Sequence, residues 1–237
     1  KNKQLRDALV AAEKANAAKG QFTSRISHEI RSPLNAVIGY MNIARSFENE
    51  NSKVTDCLIK GEYAAKHLLS ILNDVLDMSS IESGKIHISH IPFNIREVIT
   101  SLSMLFYSQA KQKGVELNVQ LKGIETEMLI GDQLRLSQVL TNLLSNAVKF
   151  TPKGGTINFT VSEDYIANSI MHVRFVVQDT GIGIKKEFLD RIFTPFEQQD
   201  NNITTSYGGS GLGLSICKNL VKLMDGAIQV ESSEGEG

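Results

Sequence analysis

The apolar positions of this 237-residue chain fall into two regimes. Up to about Phe47, Phe22, Ile26, Ile30, Pro33, Val37, Met41 and Ala44 recur at steps of three and four, an apolar seam of coiled-coil type along one long helix. The polar run 46–52 breaks this pattern, and a second seam passes through Val54, Leu58, Ala65, Leu68, Leu72 and Val75. Two such helices across a short polar stretch predict a helical hairpin. A lone hairpin gives each stripe partners on too few sides, so two of them should pair as a four-helix bundle. The expectation is a homodimer; a monomer folding the hairpin onto its own second domain is the alternative.

From Ile81 the texture changes to short β-like runs among helices. Strands are expected near residues 86–92, 115–121, 156–162, 172–178 and 227–231, and helices near 95–112, 133–150, 186–192 and 211–224. Because they do not alternate strictly, the pattern predicts an α+β sandwich, a mixed sheet covered on one face by helices. Small, flexible residues at 79–85 mark the boundary. The fold class is therefore multi-domain: an all-α helical hairpin over residues 1–80, then an α+β domain over 81–237.

Composition adds mainly exclusions. Lys plus Arg number 25 against 26 for Asp plus Glu, so there is no basic excess to neutralise nucleic-acid phosphates or anionic lipid. Neither nucleic acid nor a membrane surface is an expected partner. Cys57 and Cys217 lie far apart with no CxxC and no His cluster, and read as buried apolar residues in a reducing compartment. No apolar run approaches the roughly 20 residues that cross a bilayer, and no signal peptide opens the chain. Starting at Lys1 without a methionine, the chain reads as a cytoplasmic fragment, with any sensor or membrane anchor outside it.

Candidate chemistry begins at His28. It stands two residues from Ile26 and from Ile30, about 200° around a helix from the seam, and so should face solvent. An exposed imidazole with a pKa near about 6.5 is a competent nucleophile at neutral pH. Glu29 can hold the ring Nδ1–H and stabilise the charge that develops when Nε2 attacks. Pro33 removes a donor one turn later and should bend the helix. Most exposed histidines on helices are decorative, and His67, His87, His90 and His172 are read that way.

In the second domain Asn142, Asn146 and Lys149 are spaced i, i+4, i+7, so one helix face presents two amides and an ammonium while Leu140, Leu143, Leu144, Ala147 and Val148 supply apolar surface. An amide oxygen is a hard ligand suited to Mg²⁺, and the lysine can reach phosphates. Asp179-Thr-Gly181-Ile-Gly183 closes an apolar strand. Its carboxylate can accept from an exocyclic amine and its glycines let a purine ring approach, although Asp and Gly are also ordinary turn formers. Gly208-Gly209-Ser-Gly211-Leu212-Gly213 opens an apolar-periodic helix whose free N–H groups can cradle phosphates. It has the spacing of neither a P-loop nor a dinucleotide fold.

The run Phe22-Thr-Ser-Arg-Ile-Ser-His28-Glu29-Ile-Arg-Ser-Pro33-Leu-Asn resembles the histidine box of the sensor histidine kinases. The stretch from Gln138 through Asn142, Asn146 and Lys149 to Phe150 is similar to that family's asparagine box, the Asp179 and Gly208 stretches to its glycine boxes, and Phe193-Thr-Pro-Phe196-Glu to its phenylalanine box, with 198–207 as a lid. All five stand in the family's order. The resemblance implies an ATP-binding domain, a phosphorylated His28 assisted by Glu29, Asn146 as the principal Mg²⁺ ligand, Asp179 on the adenine amino group, nucleotide contacts from Asn142, Lys149, Gly181, Gly183, Gly209, Gly211, Leu212 and Gly213, and a response-regulator receiver domain as partner. The chain departs from the family twice. Thr204-Thr-Ser-Tyr207 carries no lid arginine for the γ-phosphate, and Ser32 stands where phosphatase members often have Thr or Asn. Two other classes compete: a signalling scaffold that kept the fold without the chemistry, and a gyrase-B-like ATPase, which has no histidine box on a hairpin.

Overall fold

The computed structural model describes residues 2–47, 51–167, 170–199 and 210–237, with side chains from residue 24 onward except at 165–167. The chain divides into two compact units, Lys1–Ser80 and Ile81–Gly237.

The first unit is helical. Helix α1 (Asn2–Ser46) continues through Pro33, and α2 (Asn51–Glu82) follows it. The two come close where a Cβ at Gly61 would stand 3.8 Å from the Tyr40 Cβ. On α2 the buried residues are Cys57, Ala64, Ile71 and Met78, seven apart, with Val54, Gly61, Leu68 and Val75 half-buried between them. This moves the expected seam. Leu58 and Ala65 are exposed, Leu72 is 39% exposed and, on α1, Met41 is 57% exposed. The cause is that apolar residues on α2 occupy two adjacent stripes, and three-and-four spacing alone does not say which one the hairpin buries.

The second unit begins with β1 (Ile91–Asn94) and α3 (Ile95–Lys113). The Asn94 side chain caps α3 by accepting from the N–H groups of Arg96 and Glu97 at 2.8 and 3.2 Å. Gly114, at φ 74°, ends the helix in the left-handed conformation that glycine adopts freely. Then come β2 (Glu116–Lys122), β3 (Met128–Gly131), α4 (Gln133–Phe150), β4 (Thr156–Ala167), β5 (Ile170–Asp179), the short α5 (Lys186–Leu189) and α6 (Gly213–Leu223). Strands β1 and β3 form an antiparallel pair, whereas β2–β4–β5 is a mixed sheet, parallel in register Glu116 to Thr156 and antiparallel in register Ile157 to Asp179.

The core lies on one face of that mixed sheet. Ile157, Phe159 and Val161 of β4 are completely buried against Ile99, Leu102 and Phe106 of α3 and Leu140, Leu144 and Ala147 of α4. Along β5 the inward residues Met171, Val173, Phe175 and Val177 join this core while Ile170, His172, Arg174, Val176 and Gln178 stay exposed, the period-two alternation of a sheet covered on one side. The α+β sandwich expected from the pattern is the observed architecture.

Five local expectations change, and one is α5, which spans only Lys186–Leu189 where a helix over 186–192 is expected, with turn at 190–192. The first strand lies at 91–94, and 86–90 is irregular because Ser89 donates its N–H to the Asp132 side chain and not to a ladder. Strand β3 was not expected, since Met128-Leu-Ile is too short an apolar run to stand out. Residues 227–231 alternate correctly but form no strand, because alternation makes a strand only where a ladder partner is in reach. Finally, α6 starts at Gly213, because Gly211 has a φ of 67° that no helix residue adopts.

Candidate functional site

Helix α4 collects the second unit's candidate residues. Its N-cap, Asp132, is buried. One carboxylate oxygen accepts the Arg135 N–H of the first turn and the other accepts the Ser89 N–H, both at 3.0 Å. Asn142 and Asn146, one turn apart, are half-buried, and the Asn146 amide donates to the Asn142 Oδ1 at 3.1 Å. That bond leaves the Asn146 Oδ1 without a protein donor among the described residues. Lys149 is also half-buried, its ammonium 4.7 Å from the centre of the Phe150 ring, and burial lowers its pKa from the usual lysine value.

Two glycine turns close on this helix. Gly213 abuts Asn142, so that a Cβ there would stand 2.1 Å from the Asn142 Nδ2. Gly181 abuts the far end of α4, where a Cβ would stand 2.8 Å from the Phe150 carbonyl oxygen. Asn142 and Phe150 are eight residues apart, about 12 Å along the helix. The face between the two turns is thus about as long as a nucleotide.

Asp179 is the last residue of β5, where the ladder stops and the chain turns. Burial pushes its carboxyl above the usual aspartate value, against the Gly181 N–H, which donates to Oδ1 at 2.8 Å. The second oxygen meets no protein donor among the described residues and can accept from an amine. The turn is held from outside: Thr156 N–H donates to Thr180 Oγ1 at 2.9 Å, Gly235 N–H to the Ile182 carbonyl at 2.8 Å, and Ile184 N–H to Ser232 Oγ at 2.9 Å. Gly183, at φ 66°, packs so tightly on the Ser233 carbonyl that no side chain fits.

At the other turn, the Phe196 N–H donates to the Gly211 carbonyl at 2.9 Å, with Phe196 itself at φ 63°, a strained conformation for a non-glycine residue. Leu212 is completely buried and its N–H donates to Ser210 Oγ at 3.2 Å. The N-cap of α6, Leu212, makes no side-chain cap, and the N-terminus of that helix, its positive end, follows this turn directly. Cys217 Sγ lies 3.9 Å from the Val139 carbonyl, packing α6 on α4.

The structure therefore gathers Asn142, Asn146, Lys149, Asp179, Gly181, Gly183, Gly211, Leu212 and Gly213 around one helix. Gly209 and residues 200–207 of the expected lid lie outside the described residues. His28 is exposed and Glu29 half-buried on α1 of the first unit, with Ile26 and Ile30 half-buried beside them and Pro33 buried. No motif marks Asp132, although Gly131-Asp132 before an apolar-periodic helix is a readable N-cap signal.

Two family models match the chain. Residues 18–84 match the His Kinase A (phospho-acceptor) domain, and residues 131–237 match the Histidine kinase-, DNA gyrase B-, and HSP90-like ATPase family. The autoinducer 2 sensor kinase/phosphatase LuxQ of Vibrio parahaemolyticus is 41% identical over 238 residues, covering 99% of this chain and 27% of that protein. The signal transduction histidine-protein kinase BarA of Escherichia coli K12 is 38% identical over 236 residues, covering 100% of this chain and 26% of that protein. The chain thus spans about a quarter of the length of these curated relatives. Among solved structures, full-length ShkA in complex with AMPPNP superposes with a TM-score of 0.66 at 32% identity, covering 89% of this chain and 42% of that one. With a phospho-acceptor helical unit followed by a histidine kinase-type α+β unit, the chain belongs to the sensor histidine kinases of two-component systems.

Proposed function

We propose that this chain is the kinase core that moves the γ-phosphoryl group of ATP onto His28 and then onto an aspartate of a response-regulator receiver domain. Residues 1–80 are the dimerisation and phosphotransfer hairpin, and 81–237 the catalytic domain. The observation that carries the reading is the convergence on α4: three motif-bearing stretches, separate in sequence, meet along one helix face of nucleotide length.

The free Asp179 oxygen accepts from the adenine amino group, and the bare backbone of Gly181 and Gly183 admits the ring. The phosphates lie toward the α6 N-terminus and the Gly211–Gly213 backbone, with Lys149 as their cation. Asn146, backed by Asn142, fits Mg²⁺: its amide oxygen is a hard donor, and an ion that keeps most of its sites for water and phosphate oxygens asks little more of the protein. Bound there, Mg²⁺ neutralises phosphate charge. Among the described residues no three His, Cys, Asp or Glu side chains converge into a second metal centre.

His28 Nε2 attacks the γ-phosphorus, an N–P bond forms as the bond to the β-phosphate oxygen breaks, and ADP leaves. Glu29 holds the Nδ1 proton of the ring, which becomes positive. Positioning and charge neutralisation supply most of the rate, as phosphoryl transfer needs little covalent help. The hairpin's second apolar stripe, with Leu58, Leu69 and Leu76 each more than half exposed, supports a homodimer through a four-helix bundle. Because the reaction consumes ATP, we place it in the cytoplasm.

The test is incubation of the purified chain with γ-labelled ATP. Acid-labile, base-stable label that disappears in His28→Ala supports the assignment. Label retained in that variant overturns the site. Nucleotide binding without any label identifies the scaffold class instead.

A further inference from the structure

The structure assigns to Lys113, which no motif marks, a positioning role in nucleotide binding: its ammonium closes the C-terminal end of α4 and thereby sets Lys149 and the turn after Asp179. This rests on the proposal that α4 and its two glycine turns hold ATP.

The last four carbonyls of an α-helix have no donor within the helix. In α4 these belong to Ala147, Val148, Lys149 and Phe150, and each can be accounted for. Ala147 accepts from the Thr151 N–H at 3.0 Å and from Thr151 Oγ1 at 2.7 Å, and Thr151 is completely buried. Phe150 is met by the Ile182 N–H at 3.4 Å. Val148 and Lys149 both accept from the Lys113 ammonium, at 2.8 and 2.6 Å. One cation from a neighbouring helix thus supplies two of the four closures, at the end where the helix dipole favours positive charge.

Each of those carbonyls belongs to a residue of the site or its neighbour. The Lys149 peptide is gripped by Lys113 while its own ammonium lies over the Phe150 ring. The Phe150 carbonyl in turn faces Gly181, and the Gly181 N–H holds Asp179. Slack at the end of α4 therefore displaces the phosphate cation and the adenine acceptor together. Water could satisfy the two carbonyls in place of Lys113, but it would not fix their position. Lys113 is placed for this by Gly114, whose left-handed turn ends α3 beside the end of α4. Burial lowers its pKa from the usual lysine value, yet it keeps two carbonyl acceptors.

The experiment uses the full chain with Mg²⁺, measuring the ADP dissociation constant by calorimetry and the ATP dependence of His28 labelling. Lys113→Met keeps the apolar stem and removes the donors; Lys113→Arg restores donors and charge. Lys113→Met is expected to raise Kd for ADP and KM for ATP by about tenfold, with kcat changed by less than about threefold, and Lys113→Arg to recover most of the affinity. A purely structural lysine would lower Tm while leaving Kd unchanged well below Tm, and that result overturns the inference. If Lys113→Met does not fold, Lys113→Gln takes the same measurement, and unchanged Kd there overturns it equally. Failure of the unaltered chain to bind ADP would instead overturn the site itself, and the inference with it.

Discussion

Two aspartates in the second unit show how surroundings, not residue type, set a role. Asp132 is buried, which works against its charge, but the N–H groups of Ser89 and Arg135 outweigh that and hold its carboxyl below the ordinary value. Its stabilising contribution is present above the unfolded-state pKa of about 3.9 and is lost as pH falls through the lower folded value. Asp179 shifts the other way, pushed up by burial. In its window the folded state holds the extra proton, so the stability it brings is present below about pH 3.9 and is lost as pH rises through the folded value. At neutral pH Asp179 is therefore kept at a cost, as a binding group often is. Asp179→Asn is expected to leave Tm equal or higher at pH 7, with the difference closing toward pH 4, and to weaken ADP binding about 10- to 100-fold through loss of a charge-assisted hydrogen bond. A thermal melt series against pH and one titration check both halves; ADP affinity equal to that of the unaltered chain would remove Asp179 from the site. Neither shift is legible in the sequence, where both residues read as Asp beside a turn.

At the scale of elements, the ends of α4 matter more than its middle. Asp132→Ala removes an N-cap and the acceptor of the Ser89 N–H, and is expected to lower stability by about 1–2 kcal/mol, read in urea unfolding as a reduced midpoint at unchanged slope. Two glycines of the turn before α6 should separate in kind. At Gly213 the nearest atoms an added Cβ meets are the end of the Asn142 side chain, which can swing away, so Gly213→Ala should fold nearly normally yet weaken ADP binding. At Gly211 the added Cβ would meet the Phe196 backbone at 2.9 Å from a left-handed φ of 67°, so Gly211→Ala should cost about 1–2 kcal/mol of stability as well. Equal Tm for these two alanine variants would contradict that distinction. Long helices with period 3.6 were readable nearly to their ends, as with α3 and α4, because burial repeats every turn. The three apolar residues of β3 and the start of α6 were not, since one is set by pairing with β1 and the other by the φ of Gly211.

For the whole molecule, the unused stripe of the hairpin is the feature with the largest consequence. Leu58 and Leu69 are each 58% exposed on α2, and neither contributes to the stripe of Cys57, Ala64, Ile71 and Met78 that the hairpin buries. Burying such a leucine contributes about 1.5–3 kcal/mol. Leu58→Glu with Leu69→Glu is therefore expected to turn a dimer into a monomer at micromolar concentration in sedimentation, with ADP affinity unchanged. A dimer that survives both changes would place its interface elsewhere.

The sequence alone determined the two textures, the long helices of both units, the one-sided α+β architecture and the order of the motif-bearing stretches, because these follow from local periodicity and from residue types at short spacing. Only the tertiary structure decided which apolar stripe the hairpin buries, that Asn142 meets Gly213 and Phe150 meets Gly181, and that Lys113 closes the end of α4. Those contacts join residues from 31 to 71 positions apart. Local pattern says nothing about such pairs, since burial periodicity records that a face is covered but not what covers it.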